Sequence, residues 1–371
     1  MDLIICGGGT GGHIYPGLAM ARYIMKRDSC SRILFVGTAR GLENKIVPKA
    51  GFDLYTMPVR ALSNSSLKEK PNAVASLFKS VAEAFKVIKD FKPEAVLGTG
   101  GYAAGPMLLA SRLKGLPVIL HEQNAIPGRT NRLMAPWATR VCITFKKSEK
   151  YFRTNKILLT GNPRASEVTQ LSRSEGLKRL NLPDSTRRLL LIFGGSQGAR
   201  IINEVVTDVI LKDGFPKDVH VFYITGNLYY DKVTADLKDK DTSNITILPY
   251  YEDMPAALSA ADLVICRAGA TALAELTAGG VPAILVPSVN VAYNHQYYNA
   301  LILEEKGAAK IMSEDCFNAE NLKETINGLI SDDQALASMA AKSYELGMRD
   351  ACERLFDCIE KEIAVNMEKN K

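Results

Sequence analysis

Two glycine-rich turns, one in each half of the chain, each follow a short apolar run. Residues 3–13 read LIICGGGTGGH, and residues 190–200 read LLIFGGSQGAR. Glycines after a buried strand allow a tight turn into a helix, whose first N–H groups and positive dipole end attract phosphate. Because the pattern occurs twice, we predict two α/β units that each carry one anion-binding turn.

Short apolar runs also alternate with helix-like stretches along all 371 residues. This alternation predicts two Rossmann-like domains, each a doubly wound parallel sheet with helices on both faces. A polar segment, GNPRASE at 161–167, marks the expected seam. We therefore predict one domain over 1–163 and a second over 164–346, facing each other across a cleft. The amphipathic C-terminal segment 347–371 is expected to pack back on the first domain.

Both turns lack features that other phosphate-binding turns require. Residues 7–12 match G-x-G-x-x-G in form, but a dinucleotide site also needs an acidic residue at the end of the second strand. The corresponding strands end in FVGT at 35–38 and YITG at 223–226, without an acid. A P-loop ends in Lys-Ser or Lys-Thr, whereas His13 follows the first turn. These departures exclude an NAD site and a P-loop.

The composition restricts where in the cell the protein is expected and which cofactors it is expected to hold. The formal net charge of +6 is mild and permits anionic partners without naming one. The seven cysteines form no C-x-x-C pair, and several end apolar runs, which favours reduced thiols in a cytosolic protein. With four histidines and no paired cysteines, a structural zinc site is not expected. Neither a signal peptide nor a membrane span is expected.

Eight motifs occur along the chain in a fixed order. They are GGGTGGHIYPG (7–17), GTGGYAAGP (98–106), HEQNAIPG (121–128), GNPR (161–164), GGSQGAR (194–200), YYEDM (250–254), CRAGATALAEL (266–276) and NHQYYNA (294–300). Together they closely resemble the MurG family of bacterial GT-B glycosyltransferases, and the match covers nearly the whole chain. The resemblance implies a GT-B fold, with the acceptor bound mainly by the N-terminal domain and the donor mainly by the C-terminal domain.

The resemblance also implies an activity. That activity is transfer of N-acetylglucosamine (GlcNAc) from UDP-GlcNAc to the C4 hydroxyl of MurNAc in lipid I, with inversion at the sugar carbon. The product is lipid II, which is used in peptidoglycan synthesis, and hence in cell-wall biogenesis, cell shape and cell division. No metal, other cofactor or nucleic acid is implied. The expected location is peripheral, on the cytoplasmic face of the bacterial cell membrane.

On the donor side, negative charge grows on the diphosphate as UDP leaves. Many transferases neutralise it with a divalent ion held by Asp-x-Asp, but Asp239 and Asp241 lie in a charged stretch that we expect to be a solvated turn. Without a metal, the second glycine turn and its helix N-terminus would stabilise the negative charge on the diphosphate.

The resemblance assigns donor roles residue by residue. Glu275 would accept hydrogen bonds from the ribose hydroxyls, although its spacing alone would favour a carboxylate on a solvated helix face. Arg267 would either pair with phosphate or hold its loop. The donor-binding candidates are Thr10, Gly11, Gly12, Asn124, Arg164, Ser196, Gln197, Tyr251, Arg267, Gly269, Ala270, Glu275, His295 and Gln296.

On the acceptor side, His13 closes the first glycine turn at a helix start, which suits phosphate contact or proton transfer. We expect it to be the general base or a ligand of the lipid pyrophosphate, with Glu122 as the rival base. The acceptor-binding candidates are Thr10, Gly11, Gly12, His13, Tyr102 and Asn124. Ordinary structural roles in their turns are the alternative for Tyr102 and Asn124.

A basic amphipathic segment spans residues 65–92. One interpretation is a core-facing apolar stripe with a solvated basic face, as we expect for Phe85 and Ile88. The other is that its N-terminal part lies on an anionic membrane surface. The membrane-contacting candidates are Leu67, Lys68, Lys70, Val74, Leu77, Phe78, Lys79 and Val81.

Two other functions fit the same sequence. One is a different GT-B enzyme, such as a glycolipid synthase or a UDP-GlcNAc 2-epimerase, the latter needing no lipid surface. The other is a UDP-sugar-binding membrane scaffold without catalytic activity. A UDP-release assay with and without an acceptor separates these functions.

Overall fold

The computed structural model describes residues 1–59, 70–168, 171–195 and 197–369, and over 70–77 the backbone alone. The chain divides into two compact units. One unit comprises Met1–Ser166 together with Asp350–Lys371, and the other comprises Glu167–Arg349.

Strands and helices alternate through the N-terminal part of the first unit. Its elements are β1 (Asp2–Gly7), α1 (Gly11–Arg27), β2 (Arg32–Thr38), α2 (Glu43–Lys49), β3 (Asp53–Met57), α3 (Lys70–Phe91), β4 (Ala95–Gly100), α4 (Ala104–Leu113), β5 (Val118–Glu122), α5 (Arg129–Met134), β6 (Arg140–Ile143) and β7 (Ile157–Leu159). Two short 3-10 helices span Ala135–Trp137 and Lys146–Tyr151. The four-residue helix α6 (Ala165–Val168) crosses the boundary between the units.

The seven strands form one parallel sheet in the order β3-β2-β1-β4-β5-β6-β7. The central strand β1 is apolar throughout because both faces of the sheet are covered. Leu3 and Ile5 pack on the face that carries α1. Ile4 and Cys6 pack on the opposite face, against α4 and the C-terminal part of α3.

The second unit repeats the alternation. Its elements are α7 (Arg173–Arg179), β8 (Arg188–Phe193), α8 (Arg200–Lys212), β9 (Val219–Ile224), α9 (Tyr230–Asp236), β10 (Ile245–Leu248), α10 (Met254–Ala260), β11 (Leu263–Cys266), α11 (Ala270–Gly279), β12 (Ala283–Leu285), a 3-10 helix (Ala292–Asn294), α12 (His295–Glu305), β13 (Ala309–Ile311), α13 (Ala319–Ile330) and α14 (Asp333–Leu346). The six strands form a parallel sheet in the order β10-β9-β8-β11-β12-β13. The predicted architecture of two doubly wound parallel sheets is confirmed.

The last helix, α15 (Ala351–Lys369), returns to the first unit. Its apolar side chains Leu355, Ile359 and Ile363 join the cluster formed by α1 and one face of the sheet. An ion pair of 2.6 Å between Arg140 Nε on β6 and Glu362 Oε1 ties the helix to that sheet. The C-terminal segment is therefore part of the core of this unit.

Candidate active site

In each sheet the strand order reverses at one point, between β1 and β4 in the first unit and between β8 and β11 in the second. Loops that leave the carboxyl ends of such strands run in opposite directions, and ligands of open α/β sheets bind in the crevice between them. The first glycine turn follows β1 and the second follows β8. Both predicted phosphate-binding turns thus lie at a switch point.

The first turn exposes backbone N–H groups. Gly9 has φ +84°, and Thr10 is the N-cap of α1. The leading N–H groups of a helix have no acceptor within it, so the amides of Gly11 and Gly12 are suited to an anionic ligand. Gly9, Thr10 and Gly12 are exposed.

The His13 side chain is held by the turn that precedes it. Its Nδ1 lies 3.0 Å from the carbonyl oxygen of Gly8 and 3.4 Å from Thr10 Oγ1. A carbonyl oxygen can only accept, so the hydrogen bond to Gly8 assigns the proton of the neutral ring to Nδ1. Nε2 then carries the lone pair, as a general base requires.

Glycines at the end of β4 and in the loop after it leave room for the His13 ring. Gly100 and Gly101 have φ +112° and +82°, values that favour glycine. A Cβ on Gly100 would lie 3.1 Å from His13 Nε2, and one on Gly101 would lie 2.6 Å from the Gly8 carbonyl oxygen. Tyr102, the next residue, is 42% exposed at the same switch point.

The rival base, Glu122, is buried at the end of β5. One carboxylate oxygen accepts the amide of Asn124 at 2.9 Å. The other accepts the Gly128 amide at 3.1 Å and Asn131 Nδ2 at 2.8 Å. Since both oxygens are used to order the loop between β5 and α5, the geometry favours His13 over Glu122 as the base. Asn124, half-buried, lies in that ordered loop.

The neighbouring histidine has a structural role. His121 is fully buried, and its Nε2–H donates to the Gly161 carbonyl at 2.8 Å while Nδ1 accepts from Gln123. Burial lowers the pKa of His121 to about 4, so the ring stays neutral at physiological pH. It fixes Gly161 in the loop after β7. Three residues further along, the Arg164 guanidinium lies over the Tyr15 ring, 5.6 Å from its centroid.

The second turn packs closely on the loop that follows β9. Gly195 and Gly198 have φ +93° and +77°. A Cβ on Gly198 would collide with the Thr225 carbonyl in the loop after β9. The turn leads into α8, and Gln197 in it is exposed. The predicted donor ligand Ser196 lies outside the described residues.

The loop after β11 completes this switch point. Gly269 is the N-cap of α11, and a Cβ there would meet nothing within 4 Å, so a ligand has room to approach. Ala270 begins the helix. Glu275 is buried at 6% exposure, which rules out the solvated-face alternative for this carboxylate.

Arg267 holds the loops around it. Its Nη1 donates to the Val286 carbonyl at 3.0 Å and lies 2.6 Å from Glu314 Oε1. These contacts join the loops after β11, β12 and β13. Of the two roles predicted for Arg267, loop support is the one seen here.

The remaining donor candidates lie on two other loops of this unit. Gln296 accepts the Ser288 amide at 2.9 Å. His295 is half-buried. Its Nδ1 lies 2.9 Å from the carbonyl oxygen of Ala292, the first residue of the 3-10 helix that follows the loop after β12. Tyr251, in the loop after β10, packs edge-on against Phe222 with centroids 5.2 Å apart.

Asp239 and Asp241 lie on an exposed turn, where the carboxylate of Asp241 accepts the Ser243 amide at 3.1 Å. This matches the solvated turn expected from sequence. Over the ranges that the structure describes, no group of three or more His, Cys, Asp or Glu side chains could hold a metal ion.

The membrane-contacting candidates are described only in part. Leu67 and Lys68 lie outside the described residues, and of Lys70, Val74 and Leu77 only the backbone is described. Phe78 is 71% exposed, Lys79 is exposed and Val81 is half-buried. Further along α3, Ile88 is buried and Phe85 packs against the core, as expected. No helix in the described ranges is long and apolar enough to cross a membrane.

Sequence reasoning missed one acidic residue at the first switch point. Glu43, the first residue of α2, is buried beside the end of β2. Its carboxylate accepts the amides of Gly9 at 2.9 Å and Thr38 at 2.8 Å, and the Thr38 hydroxyl at 2.8 Å. An acid therefore does lie near the end of the second strand, but it is bound to the turn itself. The glycines at 37 and 41 are the signal that could have located it, since a Cβ at either would collide with this side chain.

Two domain models match the two halves of the chain. The glycosyltransferase family 28 N-terminal domain matches residues 3–143, and the glycosyltransferase family 28 C-terminal domain matches residues 189–355. The chain belongs to glycosyltransferase family 28. The predicted class of enzyme, a glycosyltransferase with two parallel-sheet α/β domains, is thereby confirmed.

Relatives within family 28 match over nearly the full length. The UDP-N-acetylglucosamine–N-acetylmuramyl-(pentapeptide) pyrophosphoryl-undecaprenol N-acetylglucosamine transferase of Acetivibrio thermocellus is 45% identical over 361 residues, 97% of each chain. The enzyme of the same name, numbered 1, from Bacillus cereus is 40% identical over 362 residues, 97% of this chain and 99% of the relative. The predicted resemblance to the MurG family is confirmed.

Solved structures agree with this placement. MurG of Acinetobacter baumannii is 31% identical, with a TM-score of 0.75 over 97% of this chain and 99% of that chain. A UDP-GlcNAc 2-epimerase from Neisseria meningitidis, bound to UDP-GlcNAc, has a TM-score of 0.65 at 14% identity over 97% and 100% of the two chains. The latter likeness shows a shared fold alone.

Proposed function

We propose that this family 28 glycosyltransferase moves GlcNAc from UDP-GlcNAc to the C4 hydroxyl of MurNAc in lipid I, giving lipid II and UDP. The observation that carries the proposal is the near-complete match to transferases named for this reaction, at 40–45% identity. The arrangement of His13 supports it, because the reaction needs a group that removes a proton from a sugar hydroxyl.

The chemistry assigned to the first unit is proton removal. The acceptor C4 hydroxyl gives its proton to His13 Nε2 while its oxygen attacks C1 of GlcNAc from the face opposite UDP. The Gly8 carbonyl holds the imidazole in the required tautomer. The amides of Gly11 and Gly12, at the start of α1, would bind the lipid pyrophosphate.

The chemistry assigned to the second unit is stabilisation of the leaving group. The bond between C1 and the β-phosphate oxygen breaks, and UDP takes the electron pair. The amides at the start of α8 face the growing negative charge, since a helix N-terminus carries about half a positive charge. Glu275 would accept hydrogen bonds from the ribose hydroxyls, and the loop at Tyr251 would hold the uracil.

We further propose that the protein works at the cytoplasmic face of the cell membrane. Its acceptor is a lipid in this assignment, and the exposed Phe78 and Lys79 on α3 are of the types that bind an anionic bilayer. Phe78 would enter the interface, and the lysines would contact lipid phosphates.

The test is UDP release from UDP-GlcNAc with and without a lipid I analogue. We expect release only with the analogue, a disaccharide product with an inverted linkage, and little loss of rate in EDTA. Release without acceptor, together with a new UDP-sugar epimer, would instead indicate a 2-epimerase. Binding of UDP-GlcNAc without any release would indicate a scaffold. Loss of all activity in EDTA, restored by Mg²⁺ or Mn²⁺, would make Asp239 and Asp241 metal ligands.

A further inference from the structure

The buried carboxylate of Glu43 and the His13 ring contact the same peptide unit. The amide N–H of the Gly8–Gly9 peptide donates to Glu43 Oε2 at 2.9 Å. The carbonyl of that peptide accepts from His13 Nδ1 at 3.0 Å. A peptide bond is planar and delocalised, so a carboxylate at its N–H end polarises the carbonyl at its other end.

Glu43 carries a negative charge in this setting. Burial raises the pKa of its carboxyl, but the hydrogen bonds from the amides of Gly9 and Thr38 outweigh burial and bring the pKa below its ordinary value. Along the described ranges, no Lys, Arg or His forms an ion pair with it. Its charge is therefore matched by backbone and hydroxyl dipoles, one from the Gly9 amide in the turn that holds His13 and two from Thr38 at the end of β2.

The surroundings of the carboxylate are shaped for it. A Cβ at Gly8, Gly37 or Gly41 would collide with the Glu43 side chain. Three glycines, one in the first turn, one near the end of β2 and one in the loop after it, thus make room for this one buried acid.

We propose that Glu43 is a positioning residue that fixes the Nδ1–H tautomer and the orientation of His13 through the Gly8–Gly9 peptide. Its part corresponds to that of the buried aspartate in a Ser-His-Asp triad, with a peptide unit interposed between the acid and the imidazole. No group is transferred through the peptide; the amide proton stays on Gly9 and the ring proton stays on Nδ1. The inference rests on the proposed function, in which His13 Nε2 is the base.

The first test uses the ring nitrogens of His13 and needs no substrate. The chain has four histidines, so ¹⁵N-histidine labelling gives few signals, and His13→Gln identifies the one of interest. In the unsubstituted enzyme above pH 8, we expect the neutral His13 ring to be the Nδ1–H tautomer. In Glu43→Gln, one acceptor oxygen becomes an NH₂ group, and we expect a mixture of both tautomers.

The second test is a double-mutant cycle in the transferase assay. Glu43→Gln is expected to lower kcat by about 10–100-fold, the range found for other partners that orient histidines. KM for UDP-GlcNAc should not change. In a His13→Ala background, Glu43→Gln should cost little more, because its effect passes through His13. Glu94→Gln is the matched control, since Glu94 accepts the Asp2 amide at 2.7 Å at the opposite end of β1.

Each outcome either supports or overturns the proposal that Glu43 positions His13. A shifted tautomer in Glu43→Gln, with no further loss in the His13→Ala background, supports the proposal. Equal losses in both backgrounds would mean that Glu43 only stabilises the fold and would overturn it. If Glu43→Gln does not fold, the tautomer measured in the unsubstituted enzyme still tests the proposal, because an Nε2–H tautomer at His13 contradicts it. Failure of transfer to a lipid I analogue would refute the proposed function, while the tautomer would remain measurable.

Discussion

The two glycine turns occupy the same place in their sheets and differ in what lies behind them. Behind the first turn lie two ionisable side chains, with His13 on one side of the Gly8–Gly9 peptide and Glu43 on the other. Behind the second turn Gly198 packs on the backbone of the loop after β9, around Thr225 and Gly226. Under the proposed function, the same strand-turn-helix unit would serve proton transfer in one domain and charge stabilisation in the other.

Removal of the imidazole should have the largest effect and would separate the two turns most clearly. His13→Ala is expected to lower kcat by about 10²–10⁴-fold, because a general base is lost. UDP affinity, measured by calorimetry, should stay near that of the unsubstituted enzyme, because UDP binding is assigned to the second unit. His220→Gln is a control, as that ring lies 2.9 Å from Thr246 on β10. Equal losses of UDP affinity and turnover would place His13 in the donor site instead.

Of the two units, only the first is expected to bind lipid, and this difference between them can be tested. Replacing Lys68, Lys70 and Lys79 with Ser should weaken binding to anionic vesicles by about 1 kcal/mol per charge. Vesicle co-sedimentation at low and high salt measures this effect. Exchange of three exposed lysines in the second unit, Lys217, Lys232 and Lys238, is the control. Should the two triple variants bind equally, the membrane surface lies elsewhere.

The buried acid of the second unit should affect donor binding. Glu275→Ala is expected to raise KM for UDP-GlcNAc about 10–100-fold, since a hydrogen bond to a charged group contributes about 1.5–3 kcal/mol. The acceptor KM should not change. Glu324→Ala, at an exposed position on α13, is the control. A folded Glu275→Ala enzyme with normal donor affinity would remove this residue from the site.

The smallest expected effect is on stability and concerns the first turn alone. The pKa of Glu43 is below its ordinary value near 4.5, so its contribution is complete above that pH. As the pH falls below 4.5 and through the pKa of the folded state, the contribution is lost. Glu43→Gln should therefore flatten the acid dependence of the urea midpoint, and Thr38→Val, which removes one donor, should flatten it partly. An unchanged slope in Glu43→Gln would show that the carboxylate carries no charge-dependent stability.

The fold could be predicted because its signals are local. Apolar runs such as LIIC and LLLIF form central strands, and parallel pairing follows from the helices between them. The positions of both glycine turns followed from the same pattern. His13 could be singled out because it is the only histidine at a glycine-rich helix start.

What could not be predicted depends on contacts between distant segments. Glu43 lies 34 residues from Gly9 in sequence. The glycines at 37 and 41 leave room for its side chain, but they do not show that it bonds to the first loop. Glu122 was the rival base to His13 in the sequence, and its hydrogen bonds to the β5–α5 loop, which weigh against that role, have no local signal. Likewise, the burial of Glu275 depends on packing that helical spacing does not reveal.

The central claim is that UDP is bound by the second turn while the first turn serves the acceptor. Its most direct test is a titration of UDP into ¹⁵N-glycine-labelled enzyme, followed by transverse-relaxation-optimised NMR. We predict that the amide signals of Gly194, Gly195 and Gly198 shift on binding, while those of Gly8, Gly9 and Gly11 do not. Shifts confined to the first turn, with none in the second, would contradict the account.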